Sequence, residues 1–360
     1  MNRFGLGSLV LLAACSSPTS AADAAPAIDA PAIDAPPTDA PATDAPATDA
    51  PAIDAPPTDA PPDAAVDPCA AGACDPCDDA LAVDDASATH AAQALGACSG
   101  LVAASWVLPD GASVPSGAMF DIGHGILPSF GSHVAPREGA RLLALSSGAA
   151  RTPALVGFQT PAGYDRNYEC GAPTGFPFES PNCPGIVTAT PHDGTALAFT
   201  LDVPAGANGF RIFLKHYSSE WPAFVCSSFD DQAALIVQPA PPGSSNGDVA
   251  IDTTGNALSV NLDAIDVCAC ASPPCIVGGR SFACSRGTLD LEGTGYDALS
   301  AGAAATPWLE VRVPATAGNR IELRLAVWDS GDGVLDTTVL ADGFRWITDA
   351  PAEAEMRVVP

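Results

Sequence analysis

"NRIELRLAVW" (residues 319–328) sets Ile321, Leu323, Leu325 and Val327 on one face of an extended chain and Glu322 and Arg324 on the other. Side chains alternate sides along a strand, so a period of two marks a strand with one face in a core. The same alternation runs through "TALAFTLDV" (195–203), with Leu197, Phe199, Leu201 and Val203 together. It recurs in "GFRIFLKHY" (209–217), where Phe210, Ile212 and Leu214 are set against Arg211, Lys215 and Tyr217. "ALIVQ", "DVAID", "LSVNL" and "WLEVRV" read as further strands, with Pro, Gly, Asn or Asp between them. One short helix is expected in the alanine-rich "ASATHAAQALGAC" (86–98). Strand after strand without long intervening helices predicts a mainly β fold, an antiparallel β-sandwich or jelly roll over residues 99–350, with a cysteine-rich lead-in at 68–98.

Upstream, residues 25–63 repeat a five-residue unit, "APAID APAID APPTD APATD" and onward. Proline removes backbone donors and regularly spaced aspartates repel one another, so no core can form there. Residues 15–67 are therefore expected to be a disordered, extended Pro/Ala/Asp-rich stalk. With a polyproline II rise, such a stalk reaches about 150 Å at most. Before it, "MNRFGLGSLVLLAACSS" has one basic residue, Arg3, and an apolar stretch too short to span a bilayer. Leu12-Ala13-Ala14-Cys15 fits a bacterial lipobox, so residues 1–14 are expected to be a lipoprotein signal peptide and Cys15 the acylated residue. An ordinary secretory signal cut nearby is the other reading. Either places the remainder outside the cytoplasm, and lipidation makes it a bacterial cell-envelope protein, held at the outer membrane or cell surface by acyl chains.

Twelve cysteines fit an oxidising compartment. Beyond Cys15 the number is odd, so one thiol is free, or pairs elsewhere, or the lipobox reading fails. Cys69, Cys74 and Cys77 lack the partners that complete a zinc site. Disulfides are expected instead, drawn from Cys170, Cys183, Cys226, Cys268, Cys270, Cys275 and Cys284. The pairing Cys170 with Cys183 is expected across a Gly- and Pro-rich loop, with local pairs among the last four. A formal net charge of −28 with only 14 basic residues excludes nucleic acid as a partner, since phosphate is bound through clustered Lys and Arg.

"DSGDGVLDT" follows the opening strand and carries Asp329, Asp332 and Asp336. It is not an EF-hand, because Gly331 stands where a ligand belongs and Leu340 replaces the bidentate Glu. Two readings stay open. One is a different calcium site, with Glu220, Asp230 and Asp231 from "SSEWPAFVCSSFDD" completing the oxygen shell. The other is an Asp/Gly hairpin whose carboxylates cap backbone N–H groups. Trp221, Trp328 and Trp346 near these acids fit either a sugar platform or core packing.

Two segments, "FLKHYSSEWPAFVCSSFDDQAALIV" (213–237) and "IELRLAVWDSGDGVLDTTVLADGFRW" (321–346), resemble the choice-of-anchor L domain. This is a family of exported bacterial proteins with varied surface-attachment devices. Tyr217, Ser218, Glu220, Trp221, Cys226, Asp231, Asp329, Gly331, Asp332 and Asp336 fall on the family pattern, while Asp230 replaces its Asn and Thr337 its Ser. "MFDIGHGILPSFGSH" resembles its early segment, so coverage runs over residues 90–350. The resemblance implies an extracellular β-rich module without established catalysis.

Catalytic motifs are sparse. "GSSNG" (243–247) fits Gly-x-Ser-x-Gly, but a nucleophile elbow needs a following helix and "DVAID" reads as a strand. His216 beside Ser218, Ser219 and Glu220 raises a secreted-hydrolase reading, with the Glu220, Asp231 and Asp332 region as its acidic variant. The reading carried forward is a lipid-anchored, non-catalytic module for adhesion or binding of an extracellular protein or glycan, with calcium as its ion. A purely structural envelope protein is a third reading.

Overall fold

The computed structural model describes residues 77–115, 118–300 and 302–359; the signal peptide, Cys15, the repeat stalk, Cys69 and Cys74 lie outside them. The strands in chain order are β1 (Leu101–Val107), β2 (His124–Leu127), β3 (Leu142–Ser146), β4 (Pro191–Asp202), β5 (Gly209–Ser218), β6 (Gln232–Gln238) and β7 (Leu258–Ser259). They continue with β8 (Cys275–Val277), β9 (Arg280–Phe282), β10 (Ala304–Ala305), β11 (Leu309–Pro314), β12 (Arg320–Ser330), β13 (Thr337–Ile347) and β14 (Glu355–Val358). Two short helices, α1 (Ala88–Ala94) and α2 (Ala118–Asp121), precede β2.

One antiparallel sheet runs β1-β4-β12-β6-β7, and the other runs β14-β11-β5-β13-β3-β2 with β10 added to β5. The alternation in the sequence explains why they stack. Leu325 on β12 lies opposite Leu197 on β4 and Leu235 on β6, so one sheet presents a continuous apolar face. Phe210, Ile212 and Leu214 of β5, Val311 of β11 and Val339 of β13 supply the opposing face, and all of these residues join a single buried cluster. Each such fully buried side chain contributes about 1.5–3 kcal/mol. The antiparallel sandwich expected from the sequence is the observed fold.

Its limits are wider than residues 99–350. β14 closes the edge of the second sheet against β11, and α1 buries Ala91, Ala92 and Ala94 in the central cluster together with Leu95. Ser87 caps α1, its hydroxyl accepting from the His90 N–H at 3.3 Å. The three tryptophans pack inside: Trp221, Trp328 and Trp346 are 3%, 1% and 3% exposed, and Trp328 meets Phe176 edge to face.

"DVAID" forms isolated bridges, not a strand. Asp248 is the reason. Its Oδ1 accepts from the N–H groups of Leu235 and Ala250 at 3.1 and 3.0 Å, so a side chain takes bonds that a neighbouring strand would make. Oδ2 is buried without a donor, and burial pushes the Asp248 carboxyl up to about 7. The folded chain therefore holds a proton that the unfolded chain releases near pH 4, and this group's contribution to stability falls as pH rises from about 4 to about 7. Asp248→Asn keeps the accepting oxygen and removes the titration. Its melting temperature relative to the native chain is expected to rise across that window, by the equivalent of at most about 1.4 kcal/mol per pH unit. Parallel melting curves from pH 4 to 7.5 would show that Asp248 is ionised throughout.

Four disulfides are present among the described residues: Cys77–Cys98, Cys183–Cys226, Cys268–Cys284 and Cys270–Cys275. The last two are the expected local pairs. Cys183 pairs with Cys226 and not with Cys170, which is a free thiol. Cys170 lies beside β4, its N–H bonded to the Pro191 carbonyl, with its sulfur packed under Gly194; Cys183 sits in a separate turn at 180–183. Closeness in sequence did not bring the two together.

Candidate functional site

Asp231 immediately precedes β6, Asp329 closes β12 and Asp336 immediately precedes β13, so the ends of both sheets bring these three acids together. All are 1–2% exposed, as is Glu220 after β5. The carboxyl of Asp231 is anchored, Oδ1 accepting from Ser330 N–H at 3.0 Å and Oδ2 from the Thr337 hydroxyl at 2.9 Å. Asp231 N–H in turn donates to Glu220 Oε2 at 2.8 Å. Asp329 and Asp336 differ: no donor of normal geometry reaches either oxygen of either residue. The Asp336 carboxyl lies so close to Gly148 that a Cβ there would stand 1.7 Å from Oδ2. Only glycine lets the chain after β3 pass.

One cation serves this region. Arg166, 2% exposed, donates from Nε to the Ser147 carbonyl at 2.5 Å, from Nη1 to the Thr195 hydroxyl at 2.8 Å and from Nη2 to the Ser146 carbonyl at 3.1 Å. Its own N–H donates to Asp193 Oδ2 at 2.6 Å, while Tyr168 N–H donates to Oδ1 at 3.0 Å. Burial therefore raises the acids. It pushes Asp329 up to about 8, and with the adjoining negative charges it lifts Asp231, Asp336 and Glu220 well above the carboxylate range. After burial, the largest influence on Asp231 is the negative charge of Asp329 beside it.

The other two acids singled out from the sequence are placed differently. Asp230 is buried, its Oδ2 accepting from Gln232 Nε2 at 2.5 Å while Oδ1 has no donor of normal geometry, and its charge helps to lift Glu220. Asp332 is exposed and caps its own turn by accepting from Val334 N–H at 3.2 Å. It borders a surface cleft of about 710 Å³ shared with Asp165, Glu169 and His192. Within the acidic motif Asp332 caps a turn, whereas Asp329 and Asp336 do not. Among the described residues no three carboxylate, imidazole or thiol groups surround a common point ready to grip a metal ion. Sequence reading passed over Arg166 and Gly148, and no pattern around them distinguishes either from an ordinary loop residue.

The hydrolase constellation does not assemble. His216 is wholly buried, burial pulls it down to about 3, and neither ring nitrogen has a partner. The Ser219 hydroxyl donates to the carbonyls of Pro161 and Asp336, not to a base. The element that follows Ser245 is β7, not the helix that a nucleophile elbow needs. Comparison with protein-family models, with curated proteins and with solved structures finds no match for this chain.

Proposed function

We propose that this chain is a lipid-tethered bacterial envelope module of the choice-of-anchor L type, serving adhesion or ligand binding without catalysis, whose loop end is stabilised by calcium. Export and tethering rest on the lipobox at Cys15 and the stalk behind it; no helix among the described residues is long and apolar enough to cross a membrane. The observation that carries the calcium reading is the set of four buried carboxylate oxygens, two on Asp329 and two on Asp336, without donors. Uncompensated charge in a protein interior costs several kcal/mol per ion, so such oxygens hold protons or a cation. An all-oxygen set at the two ends of the β12–β13 connection suits calcium, which tolerates irregular coordination, better than magnesium. Binding requires Asp329 and Asp336 to turn toward one point and displaces the protons that their raised carboxyls otherwise hold.

The test uses the full mature chain. Saturating calcium at constant ionic strength is expected to raise the melting temperature by roughly 5–10 °C over chelator, the effect of a ligand at about a hundred times its Kd. Magnesium should do less. Asp336→Asn and Asp329→Asn are expected to remove the calcium response while staying folded in chelator, because each deletes a buried charge. Coincident melting curves for the native chain under both conditions would eliminate the ion. Tethering is tested separately: Cys15→Ala should shift the chain from the membrane pellet to the soluble fraction.

A further inference from the structure

A second cleft, far from the acidic loops in sequence, lies where the lead-in meets β13. Its inner space is about 40 Å³, and it is lined by Asp78, Gln93, Glu138, Phe344, Arg345 and Trp346. The Cys77–Cys98 bridge fixes one wall by tying Asp78 to the end of the α1 segment, whose Gln93 faces the space. The other wall exists because β13 is irregular: register with β5 shifts between Asp342 and Arg345, at Gly343 with φ of +62°. A bulge of this kind re-aims side chains, here placing Phe344 and Trp346 on the cleft.

The acids around the cleft are unequally satisfied. Glu138 is paired with Arg211 and Arg345. Asp342 accepts from the N–H groups of Arg137, Glu138 and Gly343. Asp78 accepts from Ala140 and Arg141 N–H, both at 2.7 Å and both on Oδ2. Its Oδ1 is buried with no donor, on a residue only 3% exposed, and among the described residues no cationic side chain pairs with it. A buried acceptor in that state is costly unless something donates to it. A space of about 40 Å³ admits only a small group. Trp346 cannot be the donor, because its indole N–H is given to the Ser99 carbonyl at 2.9 Å.

We propose that this cleft is a binding site for a primary alkylammonium group, such as the tip of a lysine side chain or an amino sugar, with Asp78 Oδ1 as its acceptor. An ammonium brings three donors and no acceptor, which matches a wall offering an unfilled carboxylate oxygen and the Gln93 amide carbonyl. Phe344 and Trp346 give the cleft an apolar side against which a methylene stem can lie. This inference goes beyond the tethered-module reading, and the two fail separately, since neither lipid nor calcium takes part here.

The experiment is ligand-observed NMR on the full mature chain with propylammonium chloride, with 1-propanol and tetramethylammonium as controls. Propylammonium should bind, while propanol, lacking charge, and tetramethylammonium, lacking N–H donors, should bind far less. Asp78→Asn can keep one accepting oxygen for Ala140 and Arg141 while replacing the unpartnered oxygen by an NH₂ donor. Its affinity for propylammonium should fall about tenfold or more with the melting temperature little changed. Should that variant melt early, Gln93→Ala, on the opposite wall, carries the comparison and should also weaken binding. Equal propylammonium binding by native and variant chains, or equal binding of propanol, would reduce the cleft to a water site and overturn the proposal.

Discussion

Arg166→Ala is expected to lower stability by about 3–5 kcal/mol, the cost of removing one partner from a buried charged network. Three donors leave at once, stranding the carbonyls of Ser146 and Ser147 and the Thr195 hydroxyl inside the protein. The acids around Asp193, Asp329 and Asp336 also lose the positive charge that partly offsets them. The backbone N–H of residue 166 still reaches Asp193, so the loop keeps one tie. Arg166→Lys should recover little, because a single ammonium cannot span three acceptors that a planar guanidinium reaches together. Equilibrium denaturation of the three chains decides this: a loss below about 1 kcal/mol for the alanine variant would mean that water fills the space and replaces the bonds. The calcium reading adds a second expectation, that the alanine variant depends more on calcium than the native chain does.

The contrast between Arg166 and its neighbours shows what kind of information a sequence carries. The long strands were legible because their burial repeats every second residue, and β4, β5 and β12 fall within four residues of the alternating runs. "LSVNL" was read as a strand, yet only Leu258 and Ser259 pair, since the Ser259 hydroxyl accepts from Asn261 N–H at 3.1 Å and turns the chain. "DVAID" failed for the same reason at Asp248. β14 is four residues long and too brief for a period to show.

The candidate site was legible as chemistry but not as geometry. Residue types named Asp329, Asp336, Asp231 and Glu220, yet nothing local distinguishes Asp336, buried against Gly148, from Asp332, four residues earlier and in water. That difference is set by contacts more than a hundred residues apart in the chain. Asp78 was invisible for a related reason, since its setting depends on Cys77–Cys98, on the loop at 139–141 and on a bulge in the penultimate strand.

The Cys183–Cys226 bridge should be the disulfide whose loss costs most among those not already tied by a short loop. It closes 43 residues, against 5 for Cys270–Cys275. In the chain-entropy account the constraint on the unfolded state grows with the logarithm of loop length, giving about 4 kcal/mol for the first and about 2 kcal/mol for the second. The Cys183→Ser, Cys226→Ser double variant is therefore expected to lose about twice what the Cys270→Ser, Cys275→Ser variant loses. Serine at 226 keeps a side chain at a residue with φ of +56°, so the backbone strain there is unchanged and the comparison isolates the crosslink. Cys170→Ser, at the thiol without a partner, should stay within about 1 kcal/mol of the native chain. The bridge also bears on the acidic site, because it anchors the segment leading from Trp221 to Asp231, one wall of the cluster. On the calcium proposal, that wall keeps Asp231 bonded to Ser330 and Thr337, so the double variant is expected to lose part of the proposed calcium response along with its stability. A variant that melts early yet keeps the full calcium shift would show that Asp231 is positioned by β6 and β12 alone.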